Sequence, residues 1–231
     1  MATKPFEIEV FPASDNTLLV RFESQSGLES NEPILALAWQ LQHEKQTNRI
    51  LNLHPAYETL LIRFDPLVES HAEIEALVRS GLEAKLPDLP ERKQVDVPVC
   101  YGGAFGPDLE EVARLAQLTS AQVVDIHSSA TYRVCFLGFA PGFPYLDGMD
   151  RRIAVPRLDS PRKEVARGTV GIADTQTGIY PVTSPGGWRL IGRTPLKLFR
   201  PDEANPSLIL PGDRLRFRPI TPDEYERLCN E

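Results

Sequence analysis

The side chains best placed to do chemistry gather in three segments of the second half of the chain. The stretch 178–195, "GIYPVTSPGGWRLIGRTP", sets Tyr180 and Trp188 beside Gly186, Gly187, Arg189 and Arg193. Paired glycines let main-chain N–H groups approach an anion, and an arginine fork can clamp a carboxylate or phosphate bidentately. The stretch 155–173 adds Arg157, Arg162 and Lys163 between prolines. The third, "FLGFAPGFPYLDG" (136–148), holds Phe136, Phe139, Phe143 and Tyr145 among glycines, with Pro141 and Pro144. Those prolines forbid a continuous helix and do not suit the middle of a sheet. The segment reads as a stiff loop, too apolar for a solvated one. Together the three suggest a small anionic ligand held between rings, with Phe139, Phe143, Tyr145, Tyr180 and Trp188 as walls and Arg157, Arg162 and Arg193 as anion contacts. A tight hairpin with a core tryptophan and a solvated arginine rim explains the glycines equally well, but the polar residues around them less well.

His127 is the histidine of the second half, at the end of a helical pattern. It can meet the helix dipole and its last carbonyls, or serve as a general acid/base between helix and loop. Cys100 and Cys135 fall in strand patterns and read as small buried hydrophobes. With Cys229 they make an odd, unpaired set, so no disulfide framework is expected. Standard signatures are missing. "YGGAFG" (101–106) lacks the Lys-Ser/Thr end of a phosphate loop and the spacing of a dinucleotide fingerprint. The four histidines are scattered and no C-x-x-C occurs, so no metal site is expected.

The elements that must carry these residues follow from periodicity. "FEIEVF" and "TLLVRFES" form a hairpin pattern, 31–45 a helix, and 49–65 two strands broken near His54. A second helix over 69–84 is opened by a Ser70/Glu73 capping box. This ββαββα unit ends at a Pro-containing linker, 85–93. Strand 94–101 follows, then helices 109–117 and 120–128, capped by Asp108 with Glu111 and by Thr119 with Gln122. Strands are expected at 131–139, 169–173, 178–182, 188–193, 196–199 and 213–220, a pattern of short strands that favours a closed or sandwiched β body. The chain has 231 residues and a net charge of −7, which argues against nucleic acid or anionic membrane as partner. No apolar run approaches the ~18 residues of a membrane-spanning helix, and the start carries no apolar signal core. Cytoplasm is the expected location.

The segments "HSSATYRVCFLGFAPGFPYLDGMD", "VPRLDSPRKEV" and "TQTGIYPVTSPGGWRLIGRTP" resemble the allophanate hydrolase subunit 1 family, over roughly residues 5–218. Its members include the B subunit of 5-oxoprolinase and a sporulation-kinase inhibitor. The resemblance implies an α+β protein, with a small ferredoxin-like α/β domain over 1–88 and a cyclophilin-like β-barrel over 89–231. It implies action on 5-oxoproline in an ATP-dependent hydrolase, with ATP bound largely by a partner. Subunit 2 (the C subunit) and a lactam-utilisation protein (the A subunit) are the implied partners, and His127 the implied proton carrier. A kinase-inhibiting module and a carboxyltransferase-type domain acting on urea-like substrates are the rival readings. Where the family usually reads "VPAGSVAIAG", this chain has "VARGTVGIAD" (165–174). Ala166 stands for proline, Arg167 for a small residue and Asp174 for glycine.

Overall fold

The computed structural model describes residues 6–23, 31–43, 49–83, 86–89 and 91–230. The chain divides into two compact units, Met1–Glu91 and Arg92–Glu231.

In the first unit β1 (Glu7–Ser14), β2 (Thr17–Glu23), β3 (Ile50–Pro55) and β4 (Thr59–Phe64) form an antiparallel sheet in the order β1-β2-β4-β3. Alternation places Leu18, Val20 and Phe22 of β2 and Leu60, Ile62 and Phe64 of β4 on its buried side. Against them pack Ile34, Leu37 and Leu41 of α1 (Glu32–His43) and Ile74, Val78 and Leu82 of α2 (His71–Glu83). The Ser70/Glu73 capping box forms, with the Ser70 amide donating to Glu73 (2.8 Å) and the Glu73 amide to Ser70 Oγ (3.3 Å). The mixed α/β class holds, while the ferredoxin-like connectivity is not confirmed. That motif runs βαββαβ, whereas here each helix follows a hairpin of consecutive strands.

The second unit is built on a closed barrel. Its strands are β5 (Gln94–Tyr101), β6 (Tyr132–Leu137), β7 (Pro144–Asp147), β9 (Thr169–Ala173), β10 (Gln176–Ile179), β12 (Arg189–Arg193) and β13 (Arg214–Pro219). They run in the order β10-β7-β6-β13-β5-β12-β9. A two-stranded ribbon of β8 (Arg162–Val165) and β11 (Ser184–Gly186) stands apart from it. Val97, Val99, Val134, Leu146, Val170, Ile172, Ile191, Leu215 and Phe217 fill the core, with Val112 of α3 (Leu109–Leu115) and Val123 of α4 (Ser120–Ser129). Helix α5 (Pro222–Cys229) has no buried residue.

Several expectations are corrected. The 136–148 segment is not all loop: Pro144 opens β7, at the first position of a strand where proline is tolerated. Residues 196–199 contribute a single bridge, Phe199 to Ser207. Thr119 and Gln122 close a capping box, but Asp108 gives α3 no side-chain cap. Its carboxylate is engaged elsewhere.

Candidate functional site

Phe143 is the hub of the site. It lies edge-on to Tyr180 (5.3 Å between centroids) and Trp188 (5.5 Å), and tilted against Tyr145 (5.1 Å). These are the offset geometries aromatic pairs prefer. With Val165 and Leu190 they form an apolar cluster separate from the barrel core. Phe139 completes the ring set at 5.4 Å from Phe143, on a left-handed backbone (φ 66°) and 65% exposed. A phenylalanine rarely adopts that conformation, and strain of this kind collects at ligand sites.

A cleft of about 450 Å³ opens over this cluster. Its walls come from all three segments: Phe139, Phe143 and Tyr145 from 136–148, Tyr180, Gly186, Gly187 and Trp188 from 178–195, and Arg157, Asp159 and Pro161 from 155–173. The volume suits a small molecule, and the lining joins aromatic rings to a few polar groups. Burial raises the Tyr180 phenol, partly opposed by the Trp188 main-chain hydrogen bond, so the site presents a neutral hydroxyl. Gly186 has a mechanical reason to be glycine, since a Cβ there would lie 2.4 Å from the Tyr180 oxygen.

The 155–161 loop is held from both sides. The Leu158 amide donates to the Gly187 carbonyl (2.7 Å), and Arg189 Nε donates to the Pro156 carbonyl (3.2 Å). Arg157 lies between these anchors and lines the cleft.

The other two arginines expected there do not line it. Arg162 pairs with Asp108 (2.7 Å) and reaches the Trp188 carbonyl (3.4 Å). Asp108 also accepts from the Leu190 amide (2.7 Å). This brace ties ribbon β8–β11 to the start of α3 and to β12. Sequence reading missed it because D-x-x-E before a helix carries the usual capping signal. Arg193 donates to the Arg167 carbonyl (2.9 Å).

His127 is also displaced from the cleft. It is fully buried inside the barrel unit, stacked on Phe217 at 4.3 Å. Thr177 gives its hydroxyl proton to the Gly171 carbonyl (3.0 Å), so it accepts from His127 Nε2–H (2.9 Å). Nδ1 then accepts from the Tyr101 hydroxyl (2.8 Å). Burial pushes the imidazole down to about 3 and holds it neutral. A ring so enclosed, with both nitrogens satisfied, is a core histidine rather than a proton carrier for a cleft ligand.

Cys135 is buried and its thiol is pushed up to about 11 by burial, which suits a packing residue. Among the described residues no group of His, Cys, Asp and Glu is arranged to hold a metal ion. The "YGGAFG" turn packs on β12, where a Cβ at Gly106 would lie 2.0 Å from the Ile191 carbonyl oxygen. Gly106 therefore serves a close approach of two backbones rather than a phosphate. The cleft's donors suit one carboxylate better than a triphosphate, which takes several cations or a main-chain cradle.

The carboxyltransferase domain, subdomains C and D, matches residues 8–209. The chain is 41% identical over 229 residues to the Bacillus subtilis protein named as the B subunit of 5-oxoprolinase, covering 94% of this chain and 95% of that protein. To the protein of the same name from Escherichia coli O157:H7 it is 42% identical over 196 residues, covering 81% and 89%. Among solved structures, a conserved uncharacterized protein of Pyrococcus horikoshii is 43% identical, with a TM-score of 0.56 over 94% of this chain and all of that one. The urea amidolyase of K. lactis shares the fold at a TM-score of 0.80 and 22% identity, this chain spanning 16% of it. By the match over residues 8–209 and by relatives this similar along most of their length, the chain belongs to the carboxyltransferase-domain family of subdomains C and D.

Proposed function

We propose that the chain is the B subunit of an ATP-dependent 5-oxoprolinase, which opens 5-oxo-L-proline to L-glutamate together with partner subunits. The observation that carries this reading is the 41% identity to the 5-oxoprolinase B subunit of Bacillus subtilis along 94% of the chain. An unstrained lactam resists water. Transfer of the ATP γ-phosphoryl to the lactam oxygen makes the carbonyl carbon electrophilic. Water then adds, the C–N bond breaks, and nitrogen takes a proton, leaving γ-glutamyl phosphate. A second water releases phosphate from that acyl phosphate. The sum is 5-oxoproline, ATP and two waters giving glutamate, ADP, phosphate and a proton.

In this scheme the chain's share is recognition and exclusion of bulk water. Phe139, Phe143, Tyr145, Tyr180 and Trp188 enclose the flat ring, and Arg157 takes the carboxylate. The Gly186–Gly187 main chain forms the wall against which the ring slides, Arg162 supports that wall from outside the cleft, and Arg193 is held on the Arg167 carbonyl away from it. His127 stays in the barrel interior. ATP is assigned to a partner, with the C subunit and the lactam-utilisation A subunit as the partners and the cytoplasm as the location. The cyclophilin-like description of the barrel rests on the family likeness.

The test is reconstitution with those two proteins, following glutamate and phosphate release. Equal amounts of both, dependent on 5-oxoproline and on this chain, are expected. An assembly that hydrolyses ATP only with urea or allophanate overturns the reading in favour of carboxyltransferase-type chemistry.

A further inference from the structure

The cleft holds a second charged residue to which the reading above gives no role. Asp159 lines it beside Arg157, two positions along the same anchored loop. Other charges nearby are committed to the fold, Arg162 to Asp108 and Arg189 to the Pro156 carbonyl. The Arg157 and Asp159 side chains make no hydrogen bond or ion pair with each other or with any other described residue. One cation and one anion, held apart but facing one apolar cleft, call for a ligand carrying their complements on neighbouring atoms.

We propose that Asp159 is a specificity-determining residue that accepts the ring N–H of the ligand while Arg157 takes the adjacent carboxylate. The cleft then selects cyclic amides bearing a carboxylate next to nitrogen. This rests on the 5-oxoprolinase reading and names what the site reads in that substrate. In 5-oxoproline the carboxylate carbon and ring nitrogen share one carbon and lie about 2.5 Å apart. Residues two apart in sequence lie at most about 7 Å apart along the chain. Hydrogen bonds of about 2.8 Å converging from each close that difference. The aromatic rings supply contact area but do not distinguish an amide ring from a lactone or a carbocycle. A carboxylate at the cleft edge does, because a ring oxygen turned towards it leaves two acceptors opposed.

The test compares 5-oxoproline with 2-oxotetrahydrofuran-5-carboxylate, the lactone that replaces N–H by oxygen, on the complex of this chain with its partner subunits. Binding of both is read by ligand-observed NMR, and 5-oxoproline turnover is followed in parallel. Wild type is expected to prefer the lactam by about 10- to 100-fold, the range of a hydrogen bond to a charged group. Asp159→Ala should raise KM for the lactam and leave lactone affinity equal or better, because the opposed acceptor is gone, so the preference collapses. Asp159→Asn, which offers the lactone a donor, should improve lactone binding. Equal loss of both ligands in Asp159→Ala, or an unchanged lactam KM, overturns the inference while leaving the 5-oxoprolinase reading intact. Lactam binding with the expected preference but no turnover supports the inference and counts against the assigned reaction. No lactam binding by wild type overturns both.

Discussion

Gly186 and Gly187 stand side by side in sequence, and nothing in "SPGGW" tells them apart. Space does. A methyl at Gly186 would meet the Tyr180 oxygen at 2.4 Å, whereas one at Gly187 would touch Pro161 at an ordinary 3.7 Å. Gly186→Ala should therefore cost about 1–3 kcal/mol and displace Tyr180. Gly187→Ala should stay within about 0.5 kcal/mol, because the added methyl makes only ordinary contact with Pro161. Urea unfolding of the two variants checks this, and equal losses would mean that the close approach to Tyr180 is not what requires glycine. His127 gives a second residue-scale forecast. Its folded value of about 3 lies below the ordinary ~6.5, so between the two the unfolded chain binds a proton that the folded chain excludes. Its contribution to stability is full above ~6.5 and is lost as pH falls towards 3, at a slope approaching ~1.4 kcal/mol per pH unit. His127→Gln should flatten stability between pH 6 and 4 relative to wild type, even though it lowers stability at pH 7. The same slope in both proteins would place a charged histidine in the fold. The residue types of the site were legible from the chain; their partners were not. Arg157 and Arg162 look alike on paper, and only the fold commits Arg162 to Asp108.

At the scale of elements, the hairpin between β9 and β10 shows how a family departure is accommodated. Ala173 pairs with Gln176, leaving Asp174 and Thr175 as the connection. Asp174 has φ 51°, the left-handed region where glycine is free and aspartate is among the better-tolerated side chains. Its amide also donates to the Val155 carbonyl (2.7 Å), the base of the loop that carries Arg157. Asp174→Ala should lose about 1 kcal/mol relative to Asp174→Gly. Both should raise KM little, because the amide is retained. Thermal melting with KM on the same preparations decides it, and an alanine variant as stable as the glycine one would remove the backbone explanation. Long periodic elements such as α2 and β13 were legible because one face repeats over many residues. Ribbon β8–β11 was not, since strands of four and three residues are too short to show a period. Helix α5 escaped because no residue of it is buried, although Thr221 before Pro222 carries a start signal and Thr221 Oγ1 accepts from the Glu224 amide at 3.2 Å.

What one chain can do without its partners is decided at the scale of the whole molecule. Each unit has its own apolar core, Leu18, Phe22, Ile62 and Val78 in the first and Val97, Ile172, Ile191 and Phe217 in the second. Neither core depends on a partner surface, so the chain should fold when expressed alone and unfold cooperatively in urea. Catalysis is a different matter. The proposed reaction must bring a phosphoryl donor to the lactam oxygen, and the cleft offers one uncommitted arginine and aromatic rings rather than a phosphate cradle. The glycine turn at 101–106 is spent on packing against β12. The isolated chain should therefore bind 5-oxoproline but hydrolyse ATP no faster than background, and adding the two partner proteins should restore turnover. Arg157→Ala in that complex should weaken substrate binding by the ~1.5–3 kcal/mol of a charge-assisted hydrogen bond, with Arg157→Lys recovering only part because an ammonium lacks the planar fork. ATP turnover stimulated by 5-oxoproline in the chain alone would show that nucleotide chemistry resides here and that the cleft is only part of a larger site.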